Sequence, residues 1–241
     1  MKSARKWALT LGVVALVGAA CNGATPTNTA TPATGEGVTA AGQVAGTGSL
    51  PAPLQMIEGT AEDIIDVVPN DDWHQDAADV NDLTAAWRTY TARAKTDGAS
   101  DALVSRFDGA LNALEIAADG HQAEETMQAS NDLSAATIEL YGLYDPAVPT
   151  DIGRLDVLGR QIVLDVAQPD WGATGTTMTE LSSTWERVRS SIVEHDGIDV
   201  ATQFDANIQS LAKALSENNS DAMTVQAKIA LEIVDAMEGL Y

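Results

Sequence analysis

The sequence predicts an all-α protein in which two tandem four-helix repeats, each an up-and-down bundle, follow a signal peptide and a low-complexity linker. Three observations carry that prediction. From Leu54 to Tyr241 apolar residues recur at three- and four-residue spacing, the period of a helix with one buried face. The breaks in this pattern hold helix-stop and N-cap residues, and no segment keeps the alternation of a strand. Large side chains also repeat at a fixed interval. Trp73 and Trp87 return 98 residues later as Trp171 and Trp185, and Phe107, Leu111, Leu114 and Tyr144 return 97 residues later as Phe204, Ile208, Leu211 and Tyr241.

Residues 1–20 carry Lys2, Arg5 and Lys6 ahead of an apolar run from Trp7 to Ala20, the layout of a secretory signal. The run is shorter than the roughly 20 residues of a membrane-spanning helix, so cleavage is expected rather than retention. Cys21 is the only cysteine. The stretch VGAAC resembles the bacterial lipobox, although Gly18 stands where that motif prefers Leu. The resemblance implies that Cys21 receives lipid and becomes the mature N-terminus. The alternative is ordinary cleavage that leaves a free thiol, a liability in an oxidising compartment. Anchoring would place the protein outside the cytoplasm, on a membrane facing the periplasm or the cell exterior.

Residues 21–50 are rich in Thr, Ala, Gly and Pro and hold almost no large apolar side chain, the composition of a disordered linker. Such a tether spans on the order of 30 Å. The net charge is -22, and loss of Lys2, Arg5 and Lys6 makes it more negative still. That balance excludes nucleic acid as a partner and favours cations or basic proteins, besides keeping the body soluble.

The repeats divide at 51–146 and 147–241. Breaks at Pro69-Asn70-Asp71, Asp97-Gly98, Asp119-Gly120, Asp145 to Pro149, Gln168-Pro169-Asp170, Asp196-Gly197 and Glu217-Asn218-Asn219 delimit eight helices. Ile64-Ile65 and Ile162-Val163 mark the core face of the first helix of each repeat. Val80, Leu83, Trp87, Tyr90 and Ala94, copied as Met178, Leu181, Trp185, Val188 and Ile192, mark the second. Leu103, Phe107, Leu111 and Leu114 mark the third with Val200, Phe204, Ile208 and Leu211. Leu133, Leu140 and Tyr144 mark the fourth with Ala230, Val234, Met237 and Tyr241. Two prolines in the short joint predict repeats held in contact at a fixed angle.

Chemistry-bearing residues are few. His74, His121 and His195 have no second histidine one turn away, so the helical metal-site pattern is absent, and Glu124 and Glu125 beside His121 suit a helix start. Asn70, Asp71, Asp72 and Asp76 around Trp73, with Asp170 beside Trp171, offer oxygen ligands for Ca²⁺, but capping explains them without an ion. Trp87 and Trp185 recur in phase with Leu and Val, which makes them core residues, while Trp73 and Trp171 lie at helix starts. No nucleophile elbow, phosphate-loop lysine, zinc-protease motif or haem-attachment motif occurs, and Gly172-Ala-Thr-Gly175-Thr lacks the lysine of a phosphate loop. No catalytic, cofactor-binding or metal-ligating residue is therefore assigned. Arg154, Asp156 and Arg160 form the one polar group that stands out, and Glu58 and Glu62 occupy the places of Asp156 and Arg160 in the first repeat, which predicts a charged contact between repeats.

The stretch from Pro149 to Arg160, PTDIGRLDVLGR, together with the duplicated helical plan, resembles uncharacterised bacterial lipoproteins in which such a segment opens a helix. That resemblance implies fold and anchoring but no activity. The expected function is a lipid-anchored, non-catalytic module with a binding or scaffold role in the cell envelope. A cation- or metal-binding envelope protein is the alternative.

Overall fold

The structure is a computed structural model and describes residues 49–241 apart from 71 and 169. The signal peptide, Cys21 with its expected lipid and the linker as far as residue 48 lie outside the described residues. Eight α-helices follow in order: α1 (Ala52–Val67), α2 (Trp73–Ala94), α3 (Asp101–Asp119), α4 (Ala123–Tyr141), α5 (Thr150–Ala167), α6 (Trp171–Glu194), α7 (Ile198–Ser216) and α8 (Ser220–Glu238). A single 3₁₀ turn, Val68–Asn70, extends α1, and no strand occurs among the described residues.

Helix ends follow local chemistry. Asp72, Ser100, Asp170 and Asn219 cap α2, α3, α6 and α8, each accepting backbone N–H groups that a helix start leaves free. Pro51 and Pro149, equivalent in the repeat, both precede a helix, where a missing N–H costs nothing. His121 and Asn218, also equivalent, take positive φ just after α3 and α7 and turn the chain into α4 and α8.

In each repeat the four helices pack as a closed ring: α1 on α2 and α4, α3 on α2 and α4, and likewise α5 to α8. The core of the first repeat is built on Leu54, Ile57, Ile64, Leu83, Tyr90, Phe107, Leu114, Leu133 and Leu140. That of the second holds Ile152, Leu155, Ile162, Leu181, Phe204, Leu211, Met223 and Met237. The expected stripes are the buried faces, with three adjustments. Ile65 and Val163, and likewise Leu103, Val200 and Ile208, are only half-buried beside their buried neighbours. Tyr144 and Tyr241 lie beyond the ends of α4 and α8 and fold back, so that their hydroxyls meet those of Tyr90 and Ser191. Leu50, counted with the linker, packs on the core of the first repeat, and its carbonyl accepts a hydrogen bond from Gln55.

Candidate functional site

The repeats meet where α4 packs on α5. Gly153 permits the approach, because a Cβ there would come within 2.6 Å of Ile138 Cδ1. The polar groups of this contact are neutral amides. Asn131 Nδ2 donates to the Val157 carbonyl at 3.2 Å and to Gln161 Oε1 at 3.0 Å. Gln128 and Gln161 exchange side-chain bonds at 2.9 Å. Gln161 also donates to Asp165, whose other oxygen accepts the Thr177 hydroxyl at 2.6 Å, so the ladder runs through α5 into α6.

Beside this ladder lies a charge cluster. Asp156 and Arg160 stand one turn apart on α5, and Glu58 and Glu62 stand one turn apart on α1, so all four project toward one seam. Arg160 Nη1 lies 3.0 Å from Glu62 Oε1, and Nη2 lies 2.9 Å from Asp156 Oδ2 and 3.8 Å from Glu58 Oε1. The expected charged contact between repeats is present. Side-chain exposure is 10% for Arg160, 15% for Asp156 and 16% for Glu58, which takes these charges largely out of water, while Glu62 keeps 38%. α8 adds Glu238, with Asp235 beside it, and α4 adds Tyr141, whose hydroxyl donates to the Leu54 carbonyl at 3.2 Å.

One guanidinium thus faces four carboxyl groups. Burial and mutual repulsion favour neutral acids here, and Arg160 opposes them only in part. Burial pushes the Glu58 carboxyl up to about 8 from its ordinary 4.5, against the pull of Arg160 and with Glu62 and Asp156 adding repulsion. Burial lifts Glu62 to about 7, and lifts Glu238 to about 7 with help from Glu62 and Asp235. Asp156 is raised by burial as well, and its carboxyl and that of Glu62 face each other closely enough to hydrogen-bond when one holds a proton. The cluster can store protons and hold two helical units together.

No family model, curated protein or solved structure matches this chain.

The other singled-out residues are dispersed. Arg154, expected to join Asp156 and Arg160, is exposed on the opposite side of α5. Trp87 and Trp185 are core residues that donate their indole N–H to Asp108 and Asp205 at 2.7 and 2.8 Å. Trp73 is half-buried and stacks on His121 at 4.7 Å. Asp72 and Asp170 are caps, as capping chemistry requires, and Asp71 lies outside the described residues. His74 is exposed, and the His195 ring rests against Tyr241. Among the described residues no group of three or more His, Cys, Asp or Glu side chains is arranged to hold a metal ion.

Two features escaped sequence reasoning. Asp76 is fully buried, and neither carboxyl oxygen has a hydrogen-bond partner among the described residues; the Asp79 Oδ2 beside it shares that condition. Burial, then the Asp79 charge, raise the Asp76 pKa. Glu238 was the other, and its signal lay in the duplication, since a shift of 97 residues sets it opposite Tyr141 at the same seam.

Proposed function

We propose that the protein is an exported, lipid-anchored and non-catalytic module of the cell envelope, in which two helical bundles joined through α4 and α5 bind or scaffold an envelope component. The observation that carries this reading is the use made of Arg160. The most site-like group of the sequence is spent inside the molecule, on Glu58, Glu62 and Asp156, joining one repeat to the other. A buried ion cluster of this kind serves specificity of arrangement more than net stability. The outer helix faces are then left to meet a partner, at the distance the linker allows.

Two measurements test the reading. Mass spectrometry of the mature N-terminus is expected to find Cys21 carrying lipid, with Cys21→Ser shifting the protein from the membrane to the soluble fraction. Cross-linking of the full chain on cells is expected to capture an envelope partner, lost when the bundles are deleted. An unmodified Cys21 removes the anchor from the proposal, and turnover of a substrate by the purified chain removes its non-catalytic part.

The cation-binding alternative draws on Asp76 and Asp79, buried carboxylates short of donors that a cation would neutralise. A specific ion at a hundred times its Kd adds about 2.7 kcal/mol of stability. Thermal melts with Ca²⁺, Zn²⁺, Cu²⁺ and Fe³⁺ that coincide with the melt in chelator would dismiss it.

A further inference from the structure

The seam between the repeats has two parts of different chemistry. Where α4 meets α5, the helices pack directly and their polar contacts are amides, which do not titrate in the physiological range. α1 reaches α5 and α8 mainly through long charged side chains, because direct helix packing across the seam belongs to α4 and α5. One part is packed helix on helix, and the other is bridged by side chains. The duplication placed Glu58 and Glu62 on α1 opposite Asp156 and Arg160 on α5, so only one of the four equivalent positions became a cation.

We propose that the Arg160 cluster is a proton-operated clasp: protonated carboxyl groups let α1 close on α5 and α8, and their ionisation opens the two bundles about the α4–α5 hinge. Every element packed around Arg160 contributes: α1 gives Glu58 and Glu62, α4 gives Tyr141 and Ser134, α5 gives Asp156 itself, and α8 gives Asp235 and Glu238. Tyr141 is pushed further up by burial and these acids and stays neutral throughout. With every carboxyl ionised, the single guanidinium leaves a surplus of negative charge in a mostly buried space. The closed seam relieves that surplus by holding protons.

The direction follows from linkage. These acids have raised pKa values when the seam is closed and ordinary ones when it is open to water, so closure is fully favoured below about pH 4.5 and is lost as pH rises through about 7 to 8. Each proton released on opening shifts the closed-to-open ratio about tenfold per pH unit within that window.

The experiment uses the full chain carrying Cys21→Ser, with Asn112→Cys on α3 and Gln209→Cys on α7, both exposed, bearing spin labels whose separation is measured across about pH 5 to 9. A separation that widens with pH, at constant helical circular dichroism, supports the clasp. Glu58→Gln with Glu238→Gln mimics the protonated acids and is expected to stay closed at high pH, while Gln128→Ala in the hinge leaves the pH midpoint unmoved. Either distances that do not change with pH, or the same widening in the glutamine variant, overturns the proposal. Widening that coincides with loss of helix overturns it too, since that is unfolding.

Discussion

In the first repeat Trp87 stacks on Phe107 at 3.7 Å and donates its indole N–H to Asp108; in the second, Trp185 tilts against Phe204 at 4.7 Å and donates to Asp205. The frame around each tryptophan was copied and retained, because a buried indole N–H must find an acceptor. Two to three turns before each tryptophan the repeats part company. Thr174 and Thr177 in α6 bond their hydroxyls to the Asp170 carbonyl and to Asp165, whereas Asp76 and Asp79 hold the equivalent places in α2 and leave three oxygens without donors among the described residues. The opposite flank differs as well. Ala110 and Ala129 let α3 and α4 close, but Asn207 and Gln226 at the same crossing, with Ile229 and Ile233, leave a shallow groove of about 470 Å³ between α7 and α8. The tryptophan with its acceptor is kept in both repeats, while buried positions around it and the polar residues two to three turns away have changed.

The largest effects should be symmetrical between the repeats. Trp87→Ala and Trp185→Ala each remove a large buried ring and its hydrogen bond to an aspartate, and each is expected to cost about 3–5 kcal/mol in denaturant unfolding. A clear inequality would mean that one repeat can collapse around the loss. Arg160→Met acts on the asymmetry instead. Removing the one cation from Glu58, Glu62 and Asp156 is expected to cost about 3–5 kcal/mol near pH 7, where Glu62 is ionising, and distinctly less near pH 5, where Glu58 and Glu62 hold protons. Equal losses at both pH values would show that the partners stay ionised in the closed seam.

A smaller effect has the opposite sign. Asp76→Thr grafts the second repeat's solution onto the first and removes an unpartnered buried carboxyl, so it should stabilise by about 1–3 kcal/mol at neutral pH. Burial, and then Asp79, raise the Asp76 pKa from 3.8. Its cost is therefore absent below that pH and grows above it, so the gain from threonine should vanish in acid. A substitution that destabilises at pH 7 would show that Asp76 has a partner of its own, such as a bound cation.

These outcomes also mark how far the sequence could be read. The helices, their breaks and the buried faces were legible because apolar period and capping chemistry act within a few residues, and the duplication supplied each assignment twice. Contact between Glu58, Glu62 and Arg160 was legible from the duplication, which sets two acids of the first repeat at the places of Asp156 and Arg160 in the second. Arg154 shows the limit. It lies two residues before Asp156, which on a helix puts it on another side, and its abundance of charge in the sequence says nothing of that. Asp76 was legible only as a member of the acidic cluster around Trp73, because its burial depends on tertiary packing and on His121 arriving from the distant α3–α4 turn. The fold of Tyr144 beneath α2, where its hydroxyl meets Tyr90 and Asp97, likewise follows from tertiary closure and from no local pattern.

The smallest expected effect separates two caps that occupy equivalent places. Asp170 accepts two backbone N–H groups, from Gly172 and Ala173, both at 3.0 Å, while Asp72 accepts one, from Gln75, at 3.3 Å. Replacing an N-cap aspartate by alanine costs about 1 kcal/mol on average, and the cost rises with the number of helix donors it strands. Asp170→Ala should therefore lose about 1 kcal/mol, and Asp72→Ala should fall to a few tenths, measured as the difference in unfolding free energy against the parent chain. Gly172 and Gly175 in the first turns of α6 sharpen the contrast, because glycine lowers helix propensity there and leaves the start more dependent on its cap. Equal losses from the two substitutions would mean that the backbone amides of α6 find water as readily as those of α2, and that the closer geometry at Asp170 adds nothing.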